Sequence, residues 1–247
     1  MKKHAILGTI NFEKGNLPLA LANYNQALSI CSQFNTVYLY RGVVYDRMRQ
    51  YDLALNDFSQ AIALDPDSAL AFFNRGIVYA NTGRFELALA DYNKALTLSP
   101  KFYAVLNNRA LIYSGIGRED LALLDYNEAL KIKPGFIPAY LNRGTLYLKK
   151  KAYDLATRDF SRILEIDSNY VKAYERRALS YVHRQEIDQA LLDYTQAIAL
   201  APNVAQNYYY RSLLYKEKGA KEKALLDALS AKFLGYQIND DYIQMLK

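Results

Sequence analysis

Small and aromatic residues recur along this chain three or four positions apart, pause, and then recur again. Phe72, Gly76 and Tyr79 form one such set, and Ala88, Tyr92 and Ala95 form the next. Residues at this spacing share one face of an α-helix, so each set predicts a helix with a packing stripe. Gly83 between the sets supplies a flexible turn. Glu86 opens the second helix, where the helix dipole favours negative charge. Pro100 marks its stop, because proline cannot continue a helix interior. The predicted element is a helical hairpin.

That hairpin is not used once. The phrase FFNRGIVY at 72–79 is matched by YLYRGVVY at 38–45 and YLNRGTLY at 140–147, at steps of 34 and 68 residues. A phrase returning at a fixed interval is a building unit, not a catalytic motif. Extending the alignment both ways predicts seven units without a gap: 1–34, 35–68, 69–102, 103–136, 137–170, 171–204 and 205–238, with a tail at 239–247. Alanine fills the twentieth position throughout, from Ala20 to Ala224. The eighth is always small: Gly8, Gly42, Gly76, Ala110, Gly144, Ala178 and Ser212. Tyrosine holds the eleventh from Tyr45 to Tyr215, with Asn11 the exception, and aromatics hold the twenty-fourth until Ala228. Small residues at 8 and 20 let the two helices approach closely, and aromatics at 4, 11 and 24 fill the surrounding space. A single hairpin cannot bury both its faces, so the units are expected to stack into a continuous core.

The columns resemble the tetratricopeptide repeat, a 34-residue helix–turn–helix unit with this order of aromatic, glycine, tyrosine, alanine, aromatic and proline. The resemblance covers 1–238. It implies an all-α fold, a right-handed superhelical α-solenoid of antiparallel helix pairs in which the first helix of each pair lines a concave groove. It also implies a protein–protein interaction scaffold or adaptor rather than an enzyme.

Two departures stand out. The family's leucine at the seventh position is arginine in six units (Arg41, Arg75, Arg109, Arg143, Arg177, Arg211), and aspartate holds the twenty-third in the same six (Asp57, Asp91, Asp125, Asp159, Asp193, Asp227). The first unit has Leu7 and Asn23 instead. Joint presence and joint absence point to an ion pair within each unit; an anion-binding arginine ladder is the alternative. The terminal units deviate as well, at Asn11, Ser32, Ala228 and Tyr236, as expected of capping repeats. The tail reads as a short capping helix begun by Asn239 or Asp240. Met1 stands at the first position of a unit, which fits a complete chain or a piece of a longer one.

Composition narrows the function classes. Cys31 is the only cysteine, so no intrachain disulfide framework is expected, and a reducing, cytoplasmic setting fits. His4 and His183 are too few and too far apart for a zinc-type cluster, and no cofactor is expected. No Gly-rich phosphate loop and no nucleophile–histidine arrangement occurs. No apolar run approaches the roughly 18 residues of a membrane span. The net charge of +6 and the 23 tyrosines raise nucleic acid as an alternative ligand. The charges are scattered, however, and the tyrosines fall in packing columns, away from base-stacking positions.

The expected partner is therefore a protein or peptide, with self-association as another outcome and no small-molecule substrate. In the family, groove contacts come from the second, fifth, sixth, ninth, twelfth and thirteenth positions of each first helix. Carried onto this sequence, they select Leu70, Phe73, Asn74, Ile77 and Asn81, then Asn107, Asn108 and Leu111, then Leu141, Asn142, Thr145 and Leu148. Lys172 and Arg176 follow on the next first helix. The expected ligand is an extended segment or amphipathic helix with at least two apolar side chains. A further alternative is a co-chaperone-like adaptor that captures a C-terminal carboxylate near Lys172 and Arg176. The family's carboxylate pattern matches at Asn142, Lys172 and Arg176 and fails at Asn107 and Leu111, where lysine and asparagine are required.

Overall fold

The structure is a computed structural model that describes residues 1–247 and contains fifteen α-helices and no strand. The chain divides into two compact units, Met1–Lys133 and Pro134–Lys247. The first holds α1 (Lys2–Glu13), α2 (Leu17–Ile30), α3 (Asn35–Arg47), α4 (Tyr51–Leu64), α5 (Ala69–Asn81), α6 (Phe85–Leu98), α7 (Tyr103–Gly115) and α8 (Glu119–Ile132). The second holds α9 (Ile137–Lys149), α10 (Tyr153–Ile166), α11 (Val171–His183), α12 (Ile187–Leu200), α13 (Ala205–Glu217), α14 (Lys221–Phe233) and α15 (Asp240–Leu246). Within each unit, antiparallel helix pairs stack on one another.

The turn inside each pair has one recurrent geometry. Gly15, Gly83 and Gly117 in the first unit take φ of 76°, 74° and 81°, and Gly219 in the second takes 75°. Arg49, Lys151 and Gln185 adopt the same left-handed conformation without glycine, at φ of 59°, 59° and 61°. Every second helix after α2 carries an acid in its first turn, such as Asp52 or Glu86, and α4, α6, α8 and α12 end two residues before a proline, as α4 does before Pro66.

Close approach within a pair is set by a ring lying over the small residue of the eighth column. A Cβ built on Gly76 would lie 2.6 Å from Tyr92 Cε1. One on Gly42 would lie 2.7 Å from Phe58 Cε1, and in the second unit one on Gly144 would lie 2.8 Å from Phe160 Cε1. These rings are essentially unexposed, and residues of the twentieth and twenty-seventh columns pack around them, alanines at Tyr92 and Phe58 and Ala156 with Ile163 at Phe160. Smallness at this column serves side-chain packing, since none of these glycines has positive φ.

All six arginine–aspartate pairs form within a helix pair, each through Nε and Nη2 to the two carboxylate oxygens at 2.6–2.8 Å. Nη1 of Arg41, Arg75, Arg109, Arg177 and Arg211 also donates to a side chain sixteen residues back, on the preceding second helix: Asn25, Ser59, Asn93, Ser161 and Thr195 in turn. The anion-binding alternative thus gives way to a structural staple. The arginine forks are spent on aspartates that are at most 7% exposed.

The last pair is completed by α15. Ala228 leaves the twenty-fourth column without a ring to lie over Ser212, and Tyr242 from α15 places its hydroxyl 3.0 Å from Ser212 Oγ. Ile243 and Leu246 bury against Ala224 and Ala228. Asn239 is the N-cap, its side chain accepting from the Asp241 amide at 2.9 Å.

Candidate functional site

Neighbouring first helices of the first unit, α5 and α7, enclose with the start of α6 a cavity of about 410 Å³. Ile77, Asn81, Asn108 and Leu111, all among the sequence-selected residues, line it together with Tyr92 and Ile112. Phe85, Gly115 and Ile116 lie along its edge on α6 and at the end of α7. No charged residue lines it. Leu111 is 45% exposed and Leu70 44%, so both present apolar surface to an incoming ligand. Asn108 accepts a hydrogen bond from Asn107 Nδ2 at 3.1 Å and lines the cavity beside Tyr92. Burial raises the Tyr92 hydroxyl well above its ordinary range, and the Asn108 side chain only partly opposes this.

Other selected residues of this unit occupy different environments. Phe73 is half-buried and does not line the cavity; its ring centroid lies 4.9 Å from that of Phe102 and 6.1 Å from that of Tyr92, so it packs with the core behind it. Asn74 is spent on its own helix, donating to the Leu70 carbonyl at 2.8 Å. Asn107 is only 5% exposed. It stands below the surface and outside the cavity lining, its amide bonded to Asn108 and not presented to solvent.

In the second unit, Leu141 and Leu148 are half-buried against the cluster of Ala156, Phe160, Ile163 and Ala173. Asn142 is half-buried, and Thr145 is exposed with its hydroxyl on the Leu141 carbonyl at 2.7 Å. Lys172 is exposed. Arg176 lines a smaller cavity of about 150 Å³ with Glu175, Tyr194, Asn207 and Tyr210. Asn207 is 2% exposed and donates to Glu175 Oε1 at 2.9 Å, which fixes a carboxylate in the same cavity as Arg176. His183 stacks on Tyr153 with centroids 4.6 Å apart.

Reading only first helices missed Phe85 and Tyr92 on α6 and Ile116 just beyond α7, and Gly115, at the thirteenth position of its unit, was passed over for want of a side chain. The signal lay in broken columns. Ile116 is apolar at a turn position where Lys14, Thr82, Lys150, Arg184 and Lys218 are polar and Met48 alone shares its apolar character, and Gly115 interrupts a column of longer, polar side chains. No group of three or more His, Cys, Asp or Glu is placed to hold a metal ion, and no helix is long and apolar enough to cross a membrane.

Stacked antiparallel helix pairs with ring-over-glycine packing define an α-solenoid of short helical repeats. Family profiles described as "Tetratricopeptide repeat" match residues 41–101, 103–136 and 137–170, and one described as "TPR repeat" matches residues 8–48. The chain belongs to the tetratricopeptide repeat family. Proteins of this family act as protein–protein interaction scaffolds and are generally non-enzymatic.

Among solved structures, the C-terminal part of a TPR repeat-containing protein from Cytophaga hutchinsonii matches with a TM-score of 0.77 at 20% identity, covering 97% of this chain and 98% of that one. A tetratricopeptide repeat protein from Parabacteroides merdae matches with a TM-score of 0.69 at 23% identity, covering 99% and 96%. YrrB, described as a TPR protein with an unusual peptide-binding site, matches with a TM-score of 0.61 at 18% identity, covering 76% and 97%. At these identities the likeness is one of fold. A sequence comparison with curated proteins finds no match.

Proposed function

We propose that this chain is an adaptor whose first unit binds an apolar peptide segment, extended or helical, in the cavity between α5 and α7. The observation that carries the reading is the cavity itself: about 410 Å³, without a charged lining residue, between Ile77 and the exposed Leu111. A concave apolar surface with a few placed amides is the usual form of a ligand site. Asn81 and Asn108 can both donate and accept, which suits a peptide backbone. The description of YrrB as peptide-binding agrees with this reading. With it goes the division of 1–238 into seven repeats, a tail at 239–247 serving as cap, and a cytoplasmic setting consistent with one free cysteine.

The test is selection from a random peptide display library on the full chain, followed by measurement of the selected peptides on Leu111→Glu. Enrichment of segments with at least two apolar side chains, and their loss on Leu111→Glu at unchanged thermal midpoint, supports the site. Enrichment that ignores Leu111→Glu removes it. Leu111 is the better probe than Phe73, whose half-buried ring would cost stability when replaced.

A second reading puts a C-terminal carboxylate on Lys172 and Arg176, and one observation favours it: Arg176 makes no ion pair within the chain. Glu175 in the same cavity repels such a ligand, so this reading ranks below the first.

A further inference from the structure

We infer that the cavity between α5 and α7 is a socket for one bulky aromatic side chain with a polar tip, tryptophan above all, opened by the missing side chain of Gly115. This rests on the proposed peptide-binding site and names what anchors there.

Gly115 is the last residue of α7 and does not have positive φ, so the backbone does not require glycine. A Cβ built there meets nothing within 4 Å, so packing does not require it either. The contrast is with Gly76, on the facing α5, whose Cβ would strike Tyr92. At 34-residue intervals from Gly115 the chain carries Glu13, Arg47, Asn81, Lys149, His183 and Glu217. Each is a polar side chain larger than a methyl group. Glycine inside a helix is unfavourable, and here no local compensation accompanies it. What it does is leave the edge of the cavity open and uncharged.

The lining specifies the occupant. Tyr92 and Phe85 offer aromatic faces, Ile77, Leu111 and Ile116 complete the apolar walls, and no charge is present to pair with an acidic or basic side chain. A charged occupant would be desolvated without a partner. Asn81 and Asn108 supply amide acceptors for an indole N–H, which ordinarily finds a hydrogen bond when buried. At about 410 Å³ the cavity is near the small end of ligand pockets, ~300–1,000 Å³, and is matched by one large side chain with its flanking backbone.

The chain contains no tryptophan, so a tryptophan probe can be read against a dark background. The probe is a capped, uncharged pentapeptide with central tryptophan, followed by its fluorescence on titration with the full chain. A saturable blue shift is expected. Gly115→Lys, which installs the residue found at position 149, should weaken binding by at least about tenfold, as filling a buried anchor pocket does. Its thermal midpoint should stay level or rise, since lysine favours a helix C-terminus. Gly115→Ala should keep binding. Absence of a saturable shift with the native chain, or equal binding by Gly115→Lys, overturns the socket. If display-selected peptides still depend on Leu111 in that case, the groove stands and only the socket falls. If neither Gly115→Lys nor Leu111→Glu alters binding, both are wrong.

Discussion

Arg109 holds both carboxylate oxygens of Asp125, Nε to Oδ2 and Nη2 to Oδ1 at 2.7 Å each, while its Nη1 donates to Asn93 Oδ1 at 2.6 Å. One side chain thus ties α7 to its partner α8 and also to α6 of the preceding pair. The aspartate side chain is 10% exposed and the arginine 20%, so each shields the other from an otherwise unpaired burial. Removing one partner strands the other.

Arg109→Ala and Asp125→Ala should each destabilise the fold by on the order of 3 kcal/mol, as breaking a buried pair does. The double variant should fall short of their sum, with a coupling of about 0.5–3 kcal/mol. The first repeat already shows a neutral solution, Leu7 with Asn23. Arg109→Leu combined with Asp125→Asn should therefore recover part of the loss. Urea midpoints at constant m-value check this, and strictly additive losses would refute the coupling.

The within-repeat pair was legible in the sequence, because arginine and aspartate appear and vanish together at fixed columns. Its second contact was not. Asn25, Ser59, Asn93, Ser161 and Thr195 share only the ability to accept a hydrogen bond, so no single letter marks the column. The helix pairs were legible for the opposite reason: small and aromatic residues repeat with little variation where two helices must touch. The cavity was half legible. Ile77, Asn81, Asn108 and Leu111 follow from first-helix positions, whereas Phe85 and Ile116 enter from a helix start and a turn that the column rule ignores. Asn107 sits on a selected column yet is buried, because a column fixes a residue's angle on its helix and not the depth of its neighbours.

Two glycines on facing helices should respond in opposite directions to the same change. Gly76→Ala drives a Cβ to 2.6 Å from the buried Tyr92 ring, and overpacking of this kind costs about 1–3 kcal/mol. Gly115→Ala meets open space and gains helix propensity worth up to about 1 kcal/mol. Thermal melts of the two single variants decide it; equal and like-signed shifts would contradict the packing described for Gly76.

The α15 helix should carry stability for the second unit out of proportion to its seven residues. Ile243 and Leu246 are 6% and 3% exposed, and they cover Ala224 and Ala228, which would otherwise face water. Leu246→Ala should cost on the order of 2 kcal/mol, with the larger penalties of core deletions limited here by fraying of a short helix. Hydrogen exchange at the amides of α14 should accelerate in the same variant. Unchanged protection there would mean that α15 is not holding the face it covers.

Alkaline pH should unfold the chain through its tyrosines. Burial raises the hydroxyls of Tyr92, Tyr126 and Tyr194 above the ordinary value near 10. A phenol with a higher pKa in the folded state keeps its proton more tightly there. Its contribution to stability is fully present below about pH 10 and is lost as pH rises through the folded value. These three should ionise only as the helices melt, which gives a step in tyrosinate absorbance coincident with loss of circular dichroism. The absence of tryptophan leaves that absorbance uncluttered. Completion of tyrosinate absorbance with the helical signal unchanged would show that Tyr92, Tyr126 and Tyr194 are reached by water in the folded chain and do not anchor its core.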